Sequence, residues 1–234
     1  SGDFQTRIPM FGAYNALNTL QSLLMAEAIL TRLGVPTDEQ RAAFEKSLLR
    51  LKLPMGRLEH CETSEDDITV LVDFAHTDDA LRSALSGVQR VLPEGAKLWC
   101  VFGCGGNRDQ SKRPRMGAAV AEFADHIVVS SDNPRTESPS DIITMVLSGI
   151  DDGQRDRVRV QPDRARAIHD SIMDAEPGDV IVIAGKGHET EQILPDAMGG
   201  TRTIHFDDRE HAKLALRERR LRAKESNAER AGAS

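Results

Sequence analysis

HIVVSSDNPR, residues 126–135, is an apolar run that breaks abruptly into a polar turn. Ile127, Val128 and Val129 are β-branched and no polar residue alternates with them, so the run from His126 to Ser130 reads as a strand buried on both faces. Asp132-Asn133-Pro134-Arg135 follows as a loop rich in ionisable groups. Ser138-Pro139 then opens a helix, with proline suited to the first turn. Strand, loop and helix in that order are the unit from which parallel sheets are built.

The same unit recurs on both sides. Upstream, Ile68–Phe74 (ITVLVDF) is a buried strand followed by a helix over Asp78–Leu92, and Lys97–Phe102 (KLWCVF) is a strand followed by a helix over Pro114–Phe123. Downstream, Val158–Gln161 is a short strand, Asp163–Asp174 a helix and Val180–Ala184 (VIVIA) another buried strand. Arg202–Phe206 is an expected edge strand and Asp208–Leu221 a last helix. The small, polar tail from Arg222 is expected to fray. Alternation of this kind predicts an α/β fold, a mostly parallel sheet with right-handed crossovers and helices on both faces. Residues 1–55 differ. Residues 12–33 repeat apolar side chains at helical spacing until Gly34 and Pro36, and Thr37 or Asp38 caps a second helix to about Leu51. No strand accompanies this pair, which reads as the end of a domain that begins elsewhere.

Bulk properties narrow the function classes. Of 234 residues, 39% are hydrophobic and 29% charged, ordinary for a globular chain. The net charge of -7 argues against a general nucleic-acid or anionic-membrane surface. No apolar run reaches a membrane span and no signal peptide is visible. The expected compartment is therefore the cytoplasm. The chain starts Ser1-Gly2-Asp3 without an initiator methionine, as the edge of a longer protein would. Cys61, Cys100 and Cys104 are odd in number and widely spread, so they are expected to be reduced and structural, and no metal-ligand spacing occurs.

In open α/β sheets ligands bind beyond the carboxyl ends of strands. Four such ends lead into unusual loops: Asp73-Phe74-Ala75-His76-Thr77, Gly103-Cys104-Gly105-Gly106-Asn107-Arg108-Asp109, Asp132-Asn133-Pro134-Arg135 and Gly185-Lys186-Gly187-His188-Glu189. Parallel strands would bring all four to one edge. Each has a plainer reading: His76 as a structural histidine, Gly103–Gly106 as a tight turn, Arg135 as a surface partner of Glu137. Gly185-Lys186-Gly187 fails the phosphate-loop pattern because glycine follows the lysine. No nucleophile elbow is present, and no catalytic residue is assigned. Arg108 and Arg135 are forks suited to carboxylates, and Asp132 and Glu189 are acceptors suited to an ammonium. Together they describe a pocket for a zwitterionic amino acid.

These loops, with Gly56-Arg57-Leu58-Glu59, Lys112-Arg113-Pro114 and Phe206-Asp207-Asp208-Arg209-Glu210, resemble in family order the C-terminal part of the Mur ligases, in particular their diaminopimelate-adding branch. The resemblance implies a Rossmann-like amino-acid-binding domain over 56–222, the last helices of a central ATP-binding domain over 1–55, and a disordered tail over 223–234. It also implies upstream nucleotide-sugar and ATP-binding domains. The implied reaction is ATP- and Mg2+-dependent peptide synthesis in peptidoglycan biosynthesis. A dipeptide carboxylate on UDP-N-acetylmuramoyl-L-alanyl-D-glutamate becomes an acyl phosphate, which the amine of meso-diaminopimelate attacks. Arg108, Asp132, Asn133, Pro134, Arg135, Gly185 and Glu189 would bind diaminopimelate, Arg135 reading its far carboxylate. Asn15, Arg57, Asp73 and His76 would touch ATP, while the phosphate loop and main magnesium ligands are expected outside this chain. Phe74, Asp78 and Asn107 depart from the pattern, which has Tyr, Pro and Asp there. The alternative, from a different class, is a non-catalytic module that binds a peptidoglycan precursor or an amino acid.

Overall fold

The computed structural model describes residues 13–48, 50 and 55–232, with side chains over 16–48, 50 and 55–225. The chain divides into two compact units, Ser1–Pro54 and Met55–Ser234. In the first, α1 (Ala13–Arg32) and α2 (Thr37–Leu48) form a helical pair. Gly34 ends α1 with φ at 76°, where a side chain is disfavoured. The buried Gln40 amide donates to the Val35 carbonyl at 2.7 Å, serving an acceptor that the turn leaves open.

The second unit is built on β2 (Thr69–Asp73), β3 (Leu98–Phe102), β4 (His126–Val129), β5 (Val158–Val160) and β6 (Val180–Ala184). Its sheet has six strands in the order β1-β2-β6-β3-β4-β5, and only β1 (Glu59–His60) is antiparallel. The chain steps outward through β3, β4 and β5. It then returns through α6 (Arg164–Asp174) to insert β6 between β2 and β3. Register aligns Asp73 with Ala184, Val101 with Ile183 and Phe102 with Val129, so four strands end at one level.

Alternate strand residues divide the core. Val70, Val72, Trp99, Val101, Val128, Ile181 and Ile183 share a cluster with Ile168 and Ile172 of α6 and Ala212, Ala215 and Leu216 of α7 (Asp208–Gly232). The intervening residues Leu71, Cys100, Phe102, Ile127, Val129 and Val182 are buried as well. They serve the layer of α3 (Asp78–Gln89), α4 (Lys112–Ala121) and α5 (Pro139–Leu147), each helix turning an apolar face inward. A sheet covered on both faces explains why its strands read as continuous apolar runs.

Several details differ from expectation. α4 starts two residues before Pro114, because proline is tolerated in a first turn whose N–H groups lack intrahelical partners. α7 runs to Gly232 instead of ending near Leu221: Ala, Lys, Glu and Arg dominate the stretch beyond, no proline interrupts it, and the expected frayed tail becomes helix. The expected edge strand, β8 (Thr201–His205), pairs with β7 (Glu191–Pro195) in a hairpin separate from the main sheet.

Candidate functional site

The four strand-end loops do meet. A cavity of about 330 Å³ lies among them, lined by Phe74 and His76 after β2, Gly105 and Arg108 after β3, Asp132, Asn133 and Arg135 after β4, and Gly185 and Glu189 after β6, with Lys112 from the start of α4. Its size is at the low end of small-molecule sites, roughly 300–1,000 Å³. Three cations and two carboxylates face it, which suits a ligand carrying both signs.

The Asp132–Arg135 loop is held by its neighbours. From β7, the Ile193 N–H donates to Asn133 Oδ1 at 3.0 Å, the Ile193 carbonyl accepts from the Arg135 N–H at 3.0 Å, and the Gln192 amide donates to the Asp132 carbonyl at 2.8 Å. Arg135 has φ at 55°, unusual for a residue with a side chain. Its Nη1 donates to the Gly106 carbonyl at 2.8 Å. Gly106 is required here, because a Cβ on it would lie 1.9 Å from the Pro134 carbonyl oxygen. Pro134 is buried against that glycine and does not line the cavity. Arg135 does not pair with Glu137; the fully buried Arg113 takes that carboxylate at 2.9 Å through both terminal nitrogens and keeps its pKa below the ordinary glutamate value.

Behind the lining lies a second layer of charge. Arg164, 1% exposed, pairs with Asp208 through Nε at 2.7 Å and Nη2 at 2.8 Å. The same guanidinium donates to the carbonyls of Ala184 at 3.0 Å and Ser131 at 3.4 Å, the residues just before Gly185 and Asp132. Lys186 is 0% exposed and lies among Asp132, Asn133 and Glu189. Asp132 is buried and its Oδ1 has no hydrogen-bond partner. Burial pushes its carboxyl above the ordinary aspartate range, Arg164 and Lys186 pull it down, and Glu189 and Asp208 push it up. A buried acceptor left open beside a cavity is a place for a ligand donor.

The sequence model described as "Mur ligase, glutamate ligase domain" matches residues 56–187, more than half of the chain. The chain belongs to the Mur ligase family. The UDP-N-acetylmuramoyl-L-alanyl-D-glutamate--2,6-diaminopimelate ligase of Thermosynechococcus vestitus (strain NIES-2133 / IAM M-273 / BP-1) is 45% identical over 212 residues, covering 90% of this chain and 39% of the relative. The ligase of that name from Trichormus variabilis (strain ATCC 29413 / PCC 7937) is 45% identical over 223 residues, 93% of this chain and 41% of the relative. A solved structure of a ligase with the same name superposes with a TM-score of 0.67 at 35% identity, over 93% of this chain and 41% of that one. The chain thus spans about two fifths of the length of these relatives.

Of the residues expected to touch ATP in a Mur ligase whose side chains are described, His76 lines the cavity and Arg57 and Asp73 do not. The His76 Nδ1 lies 2.9 Å from the Phe74 carbonyl, which can only accept, so Nδ1 is the donor and Nε2 is left for other partners. Arg57 stands outside the lining with its guanidinium 5.4 Å from the Phe74 ring centre. Asp73 is buried, and its two oxygens accept from the Leu58 and Ala75 N–H groups at 2.8 Å, so it fixes the two loops. Asn15 lies on α1, its side chain outside the described residues. Phe74 and Gly105, from loops expected to meet here but not assigned a binding role, also line the cavity, and so does Lys112. Lys112 stands in a motif noticed in the sequence, and its Nζ donates to the His76 carbonyl at 2.9 Å. Asn107 is exposed, and its Oδ1 accepts from Thr136 N–H and Oγ1 at 3.1 and 2.9 Å, a role aspartate would fill equally. All three cysteines are buried and free, and burial pushes Cys61 and Cys104 up to about 12, so these thiols stay protonated.

Among the described residues no group of three or more His, Cys, Asp or Glu is placed to hold a metal ion. No helix among them is long and apolar enough to cross a membrane.

Proposed function

We propose that this chain supplies the amino-acid site of a cytoplasmic, ATP- and Mg2+-dependent ligase that adds meso-diaminopimelate to UDP-N-acetylmuramoyl-L-alanyl-D-glutamate in peptidoglycan biosynthesis. The observation that carries it is the cavity itself. It gathers Arg108 and Arg135 against Asp132, Asn133, Gly185 and Glu189 in a space fit for one small zwitterion. Diaminopimelate has a carboxylate and an ammonium at each end. Lysine lacks one of those carboxylates and would leave a guanidinium of the cavity without its partner, a loss that discriminates strongly.

Within this reading the residues divide by role. Arg135 takes the far carboxylate, and Asp132, Asn133 and Glu189 take the ammonium beside it. Pro134 acts from beneath, by wedging its carbonyl against Gly106. His76 and Arg57, grouped around Phe74, form the side of the site that meets the nucleotide, while Asp73 acts through the backbone it holds. The phosphate chemistry and its magnesium belong to the part of the ligase that this chain does not contain.

Isothermal calorimetry on the chain with meso-diaminopimelate and with L-lysine tests the site. Binding of the first and neglect of the second is the expected outcome. A protein of the relatives' full length carrying this chain should consume ATP when diaminopimelate and the dipeptide nucleotide are both supplied. Preference for L-lysine in either assay would refute the role given to Arg135.

A further inference from the structure

Lys186 touches three side chains of the cavity from behind. Its Nζ donates to Asn133 Oδ1 at 3.4 Å, to Glu189 Oε2 at 3.2 Å and to the Glu191 carbonyl at 2.5 Å, and it lies 3.9 Å from Asp132 Oδ1. An ammonium has three donors and no acceptor, so these contacts account for it completely. The Asn133 amide in turn donates to Glu189 Oε2 at 3.0 Å, which closes a small ring between the loops after β4 and β6.

This is a poor arrangement for stability alone. A lysine there only to be buried safely would sit on one carboxylate and satisfy it. Here Asp132 Oδ1 is left without a hydrogen bond, and the Glu189 side chain stays 40% exposed. The cation offsets two carboxylates, bonding one oxygen of Glu189 and leaving Asp132 Oδ1 unbonded. Without it, Asp132 and Glu189 would repel each other across the cavity, and Asn133 Oδ1 would lose one of its two donors, the other being the Ile193 N–H.

We propose that Lys186 is a positioning residue that sets the site's preference for a ligand ammonium. With the Ile193 N–H it holds Asn133 in one orientation, and it keeps Asp132 and Glu189 side by side at the cavity with Asp132 Oδ1 still unbonded. The inference rests on the cavity being a diamino-acid site and adds the residue on which its selectivity for the amine depends.

Calorimetry on the full chain with two probes tests it: meso-diaminopimelate, and pimelate, the same dicarboxylate without amines. The unaltered chain should prefer diaminopimelate, and Lys186→Met should cut the ratio of the two affinities by about tenfold, the worth of one charge-assisted hydrogen bond. Partial unfolding would lower both affinities alike, so the ratio separates positioning from loss of structure. Lys186→Gln keeps a donor for the Glu191 carbonyl and is the variant scored if Lys186→Met does not melt cooperatively. An unchanged ratio in a folded variant overturns the role of Lys186 and leaves the cavity's assignment standing. If neither variant folds, Lys186 serves stability and the proposal is overturned. If the unaltered chain takes up neither probe, the assignment of the cavity fails and the proposal falls with it.

Discussion

Arg108 and Arg135 face the cavity, whereas Arg164 and Lys186, on the same sheet edge, have 1% and 0% of their surface exposed. All four are cations within motifs or elements that end at the site. The outer pair is under-used by the protein: Arg135 spends Nη1 on backbone carbonyls, and Arg108 is exposed. The inner pair is fully engaged, Arg164 by both oxygens of Asp208 and two strand-end carbonyls, Lys186 by the ring of acceptors behind Asp132. A charge left partly unanswered in a cavity recognises something absent. A charge answered on every side fixes the shape in which recognition occurs.

The comparison predicts opposite responses to truncation. Arg164→Met should be the most damaging change, since breaking a fully buried pair leaves Asp208 uncompensated at about 3–5 kcal/mol. Urea unfolding checks it, and a loss under about 1 kcal/mol would place Arg164 with the outer pair. Arg135→Ala should do the reverse. It should lose roughly 2–5 kcal/mol of diaminopimelate binding while unfolding shifts by about 1 kcal/mol, the worth of its backbone hydrogen bonds.

Acidity probes the boundary between the two layers. Burial raises the Asp132 carboxyl, so in the free protein it takes up a proton above the ordinary aspartate range. A ligand ammonium needs the ionised form. Affinity for diaminopimelate should therefore fall as pH drops through the raised value, by at most about tenfold per pH unit for one proton. Binding in that window should release a proton, seen as a calorimetric heat that changes with the buffer. Asp132→Asn should abolish the slope. The smallest effect concerns backbone. With φ at 55° at position 135, Arg135→Gly and Arg135→Ala should lose ligand equally, but the glycine variant should be the more stable by roughly 1 kcal/mol.

Much of the outer layer was legible in the sequence. ITVLVDF, KLWCVF, HIVVS and VIVIA are apolar without alternation, so their burial and the level at which they end could be read directly, and the loops beyond them followed. Arg108, Asp132, Asn133, Arg135, Gly185 and Glu189 all line one cavity as expected. The inner layer was hidden because its partners are far apart in the chain. Nothing local tells that Asp208 answers Arg164, or that Asp73 is engaged by Leu58. β7 escaped for a related reason. EQILP is short and ends in proline, and its order comes from bonds to the Asp132–Arg135 loop and to β8. Lys186 was set aside because its glycine-rich surroundings fail a phosphate-loop pattern, a test that asks about exposed lysines and is silent about buried ones.

The position of β6 has a consequence for how the molecule comes into being. Val180–Ala184 is late in the sequence yet central in the sheet, between strands that begin at Thr69 and Leu98. Until it arrives, β2 and β3 have no common neighbour, and the loops they carry have no fixed distance between them. On a ribosome the chain must wait for most of its length before that gap can close, with two apolar strand edges open in the meantime. The pocket is therefore among the last features to be assembled, and a chain cut short before β6 would keep Arg108 and Arg135 but have no site.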